Sequence, residues 1–171
     1  MLIVFGGLPG TGKTTLARSL ARRQRASYVR VDAIESGLIS AGLVPDQAGL
    51  GPAGYVVANR VAESCLRARL DVVVDAVNAV EIAREGWRVL AADLSTPLLF
   101  VEVVCSDRER HRRQVEQRES DLDGWALPDW QSVVDREYQP WQGDRLVIDN
   151  LGDPESHVAA IAEASARTGS G

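Results

Sequence analysis

Apolar residues follow two rhythms along this chain: short unbroken runs and stripes at helical spacing. Met1-Leu2-Ile3-Val4-Phe5 has no polar break, as a strand buried on both faces requires. After it, Leu16, Ala17, Leu20 and Ala21 share one helical face. Ser27 to Val31 forms a second strand pattern, and Asp32-Ala33-Ile34-Glu35 opens a short helix toward Ser40. The stretch from Gly42 to Gly54 is rich in glycine and proline and is expected to be a mobile connection. From Pro52 to Arg69, a helix is predicted with Val57, Val61, Cys65 and Ala68 as its apolar stripe. Val72-Val73-Val74, ahead of Asp75, is a third strand, and Val80, Ala83, Trp87, Leu90 and Leu94 mark the helix that follows.

The same alternation continues to the end of the chain. Leu98 to Val104 is a fourth strand, Ser106 to Arg118 an arginine-rich helix, and Glu119 to Pro128 a polar loop. Trp130, Val133, Val134, Glu137 and Trp141 lie at helical spacing, and Arg145 to Ile148 is a last strand. Asp153 opens a terminal helix with Val158, Ile161 and Ala162 inward, and the final Thr-Gly-Ser-Gly is expected to be disordered. Strands that alternate with helices, each an apolar run, predict an α/β fold with a five-stranded parallel sheet covered on both faces. No internal repeat or linker marks a second domain, so residues 1–171 are expected to form one unit.

Bulk properties narrow the class only slightly. With 45% hydrophobic and 25% charged residues over 171 positions, the chain can bury a core without disulfide or metal staples. Cys65 and Cys105 have no metal-type spacing and are expected to be buried and reduced. No apolar stretch is long enough for a membrane span, and the first strand begins at once. A cytoplasmic location is therefore expected. The net charge of −5 argues against nucleic acid as the main partner.

Chemistry enters with Gly7-Leu8-Pro9-Gly10-Thr11-Gly12-Lys13-Thr14, which contains the only lysine of the chain. The spacing Gly, four residues, Gly-Lys-Thr is that of a phosphate-binding loop, or Walker A motif, placed as required between a strand and a helix. Gly7, Pro9, Gly10, Thr11, Gly12, Lys13, Thr14 and Thr15 are thus the expected nucleotide-binding set. Lys13 would neutralise the β and γ phosphates, and Thr14 would ligate Mg²⁺. Asp75, at the end of its strand, would hold the metal's water shell. Ala76 follows it, where a water-activating glutamate would stand in a motor-type ATPase, and there is no Asn-Lys-x-Asp guanine reader. A kinase is favoured over a hydrolase or GTP switch, with ATP and Mg²⁺ as cofactors.

On Gly7 to Thr14, on Val29-Arg30-Val31-Asp32, on Val74-Asp75 and on the arginine-rich stretch before the polar loop, the chain resembles the small P-loop kinases. That broad group holds polynucleotide 5′-hydroxyl kinases, zeta-type toxins and chloramphenicol phosphotransferase. The likeness runs nearly the whole length, and its phosphate loop is the most specific part. It implies the P-loop three-layer sandwich with strand order 2-3-1-4-5 and a small helical lid over about residues 106–128. It also implies that Asp32 is the base for the attacking hydroxyl, and that lid arginines clamp the transferring group, with Arg113 and Arg118 the choices.

Several of these residues also admit a structural role. Asp32 with Glu35 could be a helix N-cap and capping box. Glu35 stands near where polynucleotide kinases place an arginine for the acceptor's phosphate. In the pocket it would disfavour phosphorylated acceptors, and otherwise it completes the cap. Asn78 could bind an acceptor hydroxyl or cap the next helix. In the arginine-rich helix, Glu109 with Arg113 and Arg112 with Glu116 could be exposed pairs. Trp87, Trp130 and Trp141 are expected in the core, Trp125 could stack on a ligand, and His111 and His157 are expected at the solvated surface. The acceptor is expected to be a small molecule, a natural product, sugar or nucleoside. A polynucleotide 5′-hydroxyl kinase and a non-catalytic nucleotide-dependent module are the alternatives, and the chain is expected to act as a monomer or homodimer.

Overall fold

A computed structural model describes residues 1–169. Five strands form one sheet: β1 (Leu2–Gly6), β2 (Ser27–Arg30), β3 (Val72–Asp75), β4 (Leu98–Val104) and β5 (Leu146–Asp149). Every pairing is parallel, and the order is β2-β3-β1-β4-β5. β1 is central and wholly buried, which accounts for its unbroken apolar run. Because Phe5 pairs with Asp75 and Gly6 with Glu102, the carboxyl ends of β1, β3 and β4 open at one edge. That edge is where open α/β sheets bind ligands.

Helices cover both faces: α1 (Lys13–Gln24), α2 (Val31–Ser40), α3 (Ala53–Arg67), α4 (Glu81–Asp93), α5 (Arg108–Gln117), α6 (Trp130–Val134) and α7 (Pro154–Gly169). α1 and α7 enclose one apolar cluster with Ile3, Phe5, Val101 and Val103. On the other face, α3 and α4 enclose Leu2, Val4, Val72, Val74 and Trp87. None of the helices among the described residues is long and apolar enough to cross a membrane.

Four details depart from the sequence pattern. In α3 the inward face is Gly54, Ala58, Ala62 and Leu66, while Val57 and Val61 are turned partly to solvent. Small residues let α3 lie close to β2 and β3, and that approach outweighs the larger valines. The helix expected through Trp141 stops at Val134, and Pro140, which has no N–H and restricts its neighbour, bars a helix from running on to Trp141. Trp141 nevertheless reaches the core, edge-on to Phe100 at 5.4 Å. The connection after α2 contains a single 3₁₀ turn, Gln47–Gly49, capped by the Asp46 carboxylate. Finally, α7 takes in Thr168 and Gly169, the first half of the tail expected to be disordered; the other half lies outside the described residues.

Arg84 fastens the loop after β3. Its side chain is fully buried and donates to the carbonyls of Asn78, Ala79, Gln139 and Pro140 and to Glu81. Its guanidinium also stacks on Trp141, 4.2 Å from the ring centroid. Cys65 and Cys105 are half-buried free thiols rather than fully buried ones.

Candidate active site

The loop between β1 and α1 is shaped by backbone conformations that glycine permits. Gly10 and Gly12 have φ of 84° and 89°, in the left-handed region. Gly12 is also the N-cap of α1, so the N-terminal amides and the positive end of the helix face whatever the loop encloses. The loop is supported from behind: Gly7 N–H donates to the Val77 carbonyl at 3.1 Å, and the buried Thr11 hydroxyl donates to Leu8 O at 2.9 Å. Asn150, after β5, donates to Thr11 O at 2.9 Å. Gly7 and Thr11 thus hold the loop's form, whereas Pro9, Gly10, Gly12, Lys13, Thr14 and Thr15 line the open side.

That open side is one end of a cavity of about 1590 Å³. Single small-molecule sites run to roughly 300–1,000 Å³, so this cavity has room for a nucleotide and a second ligand. Lys13 is only 6% exposed. Burial pushes its ammonium below the ordinary lysine value, while the carboxylates of Asp75 and Asp32 pull it back up; the nearby Arg118 and Arg30 guanidiniums lower it further. Asp75 itself is 2% exposed and accepts a 2.7 Å hydrogen bond from the Tyr28 hydroxyl. Burial and the Asp75 charge raise the Tyr28 phenol above its usual range.

Asp32 lines the cavity from the first turn of α2. The helix begins two residues earlier than the capping pattern requires. Its N-cap is Arg30, with no side-chain cap bond. Asp32 is therefore not spent as a cap, and Arg30 is its ionic neighbour at 3.7 Å. Glu35, one turn on, also faces the cavity and packs against Gly54 of α3, where a Cβ would overlap its side chain. Burial, and after it the Asp32 charge, push the Glu35 carboxyl up to about 7, with Arg136 opposing. Tyr55, beside Glu35, accepts the Asn78 N–H at 3.1 Å and is itself raised to about 12, chiefly by burial.

Two expected site residues lie elsewhere. Asn78 is fully buried; its amide donates to Phe5 O at 2.7 Å and accepts from the Trp87 indole at 3.0 Å. It therefore neither meets an acceptor nor caps α4, whose N-cap is Val80. Arg113 is on the exposed outer face of α5. It follows the inward His111 by two residues, about 200° around the helix axis. The inward side of α5 sends Gln114 to the cavity instead, and Arg118 follows just beyond its end. Arg112 does form the expected exposed pair with Glu116, at 2.8 Å.

Arg118 is a half-buried cation on the cavity wall. It lines the cavity with Lys13 and Asp32, and among the described residues no acceptor reaches its buried Nε and Nη2 atoms. Burial lowers its value, against the pull of Asp32. Orphaned donors of this kind, beside a loop of convergent amides, fit a polyphosphate. Mg²⁺ has fitting partners in Thr14 on the cavity wall and Asp75 behind it. Among the described residues, no group of three or more His, Cys, Asp or Glu side chains could hold a metal alone. A magnesium ion carried by a nucleotide needs only one or two protein groups.

Sequence reasoning missed several participants. His111 is 7% exposed rather than solvated; its Nε2 lies 2.8 Å from Pro9 O, and its ring stands edge-on to Trp130 at 5.2 Å. His157 is half buried near Gly152. Arg18 and Arg30 line the cavity and both bind Asp121, each at 2.7 Å. This draws segment 118–129 down onto α1 and β2, and Ser36 of α2 and Gln47 of the 3₁₀ turn also donate to its carbonyls at Asp123 and Ala126. Trp125, in that segment, lines the cavity. The arginine of Val29-Arg30-Val31-Asp32 was the one visible signal; the others depend on loop placement.

Comparison with known proteins agrees with this architecture. Uncharacterized proteins of Mycobacterium bovis and Mycobacterium tuberculosis are 36% identical over 115 residues, a match covering 61% of this chain. The matched region is only 23% of those relatives, so the chain spans under a quarter of their length. Chaetomium thermophilum Kti12, solved with ADP-AlF3, aligns over 100% of both chains with TM-score 0.75 and 20% identity. Mycobacterium tuberculosis APS kinase CysC, solved with AMPPNP and APS, gives 0.69 and 19% over 95% of each chain. A gluconokinase from Sinorhizobium meliloti gives 0.66 and 18%, covering 98% of this chain and 93% of its own. These likenesses establish the P-loop fold. A family model of the AAA domain matches residues 2–136, and the chain belongs to that family, in the P-loop form that its kinase neighbours share.

Proposed function

We propose that this protein is an ATP- and Mg²⁺-dependent kinase that transfers the γ-phosphate to a hydroxyl of an unphosphorylated small molecule. The observation that carries this reading is the placement of Asp32. It is free of capping, lines the same cavity as Lys13, and is opposed by Arg118. The kinase activities of the APS kinase and gluconokinase neighbours support the reaction class.

In this mechanism the loop amides and Lys13 hold the β and γ phosphates, and Arg118 meets charge on the transferring group. Thr14, with Asp75 behind it, would hold a magnesium ion, which would supply further charge neutralisation. Asp32 orients the acceptor hydroxyl and takes its proton as the new oxygen–phosphorus bond forms and the bond to the ADP oxygen breaks. Segment 118–129, the part of the expected lid that follows α5, is held down by Asp121 and excludes water from the transfer. Glu35, where charged, repels a phosphate on the acceptor, which disfavours nucleotides and nucleic-acid ends as substrates.

Asp32→Asn tests the assignment. The amide still orients a hydroxyl but cannot accept its proton, so the acceptor-dependent rate should fall at least 100-fold with ATP affinity unchanged. Normal transfer by this variant would leave Asp32 without a catalytic role.

A further inference from the structure

The phosphate loop occupies only one end of the cavity; the other end is a groove between α3 and α4. Its walls are Tyr55, Val56, Ile82, Ala83 and Val89, with Leu50 at the near side. Ile82 is 83% exposed, Val56 56% and Val89 48%, so three large aliphatic side chains on neighbouring helices face one space without protein cover. Asn59 Nδ2 donates to Gly86 O at 3.1 Å and ties the two helices together along the floor.

Gly86 supplies a second, independent observation. It lies in the interior of α4, where glycine is unfavourable, yet its backbone is helical and requires no glycine. A Cβ built there would meet no atom within 4 Å, so no helix packing requires it either. Gly86 opens on the cavity. Its small size widens the groove.

We propose that the acceptor is an amphipathic alcohol. Its hydroxyl-bearing end is held at Asp32 and Glu35, and its apolar body lies in the α3–α4 groove over Gly86. The groove is continuous with the phosphate-loop cavity; its aliphatic walls offer the body dispersion and desolvation, while the polar Asn59, Arg60 and Glu85 also line it. A free sugar would leave these aliphatic walls in water. The inference rests on the kinase reading for the fate of the hydroxyl, but its binding component can be measured separately.

The experiment uses the whole chain with a non-hydrolysable ATP analogue, and titrates glucose and its butyl, hexyl and octyl glucosides below their micelle concentrations. Affinity is expected to rise with chain length, up to about fourfold for each methylene the groove fully covers. Gly86→Leu, which adds a good helix former to an exposed position, should retain the fold and ATP binding yet lose the chain-length gain. Ile82→Asp should lose it as well. Affinity that does not grow with chain length, or growth preserved in both variants, overturns the proposal. Parallel assays with γ-labelled ATP separate the two readings. Length-dependent binding without label in any glucoside removes the kinase and leaves the groove, whereas equal labelling of glucose and octyl glucoside removes the groove and leaves the kinase.

Discussion

His111 Nε2 donates to the carbonyl oxygen of Pro9 across 2.8 Å, which ties α5 to the crown of the phosphate loop. Since the carbonyl can only accept, the ring carries its proton on Nε2. His111→Ala removes this bond and the ring that packs on Trp130, and so loosens the loop's preorganised amides. ATP affinity should fall about tenfold, equivalent to the loss of one buried hydrogen bond. Calorimetric titration of the variant with ATP checks it.

The ion pairs from Arg18 and Arg30 to Asp121 predict a change in dynamics more than in stability. These hydrogen bonds hold the Asp121 carboxyl down at about 2, below its ordinary 3.8. Their contribution is fully present above 3.8 and disappears as pH falls through 2. Because Asp121 is half exposed, Asp121→Asn should cost no more than about 1 kcal/mol. Amide exchange over residues 119–128 should nevertheless quicken severalfold at neutral pH, since the segment's strongest tether is gone.

Glu35 predicts the opposite pH sign. Its folded value of about 7 exceeds the ordinary 4.5, so the folded state holds the proton more tightly than the unfolded chain does. This group imposes no penalty below 4.5, and its penalty grows until pH passes 7. Partial solvent exposure reduces the effect to about 1 kcal/mol. Glu35→Gln should therefore match the wild type in stability near pH 4 and exceed it at pH 8, measured by chemical denaturation across that range.

Arg84 is a structural hub whose loss should reach the site indirectly. Arg84→Met keeps most of the volume but takes the guanidinium donor from the carbonyls at 78, 139 and 140, and leaves Ala79 O with only the Gln139 N–H. The expected cost is about 3–5 kcal/mol. Thermal unfolding should shift down by roughly 10 °C.

The fold was largely legible because its signals are local and unambiguous. β1, the phosphate loop and α1 follow one another in sequence, and a strand buried on both faces has no polar residue to confuse the pattern. The inward face of α3 was misjudged for the same reason: size and hydrophobicity favour Val57 and Val61, whereas contact with the sheet favours the small Gly54, Ala58 and Ala62. The order of strands came from resemblance, since apolar runs do not state their neighbours.

Legibility was lower in the site. Lys13 was marked by motif and Asp32 by resemblance, but Asn78 was drawn inward by Phe5, distant in sequence, and by Trp87 on the next helix. His111 reads as one more polar residue among arginines until Pro9 is brought beside it. Likewise, the roles of Arg18, Arg30 and Arg136 depend on where segment 118–129 and the chain after α6 come to rest. A lid's contacts are set by tertiary placement, to which helical periodicity is blind.

In the proposed reaction, Lys13 and Asp32 together deliver the γ-phosphate to an alcohol instead of to water. Incubating the protein with γ-labelled ATP, Mg²⁺ and a library of unphosphorylated alcohols, then following the label, tests it most directly. Label is expected in a stable phosphate ester, formed only when an acceptor is present. Label released solely as inorganic phosphate, at a rate no acceptor alters, would contradict it.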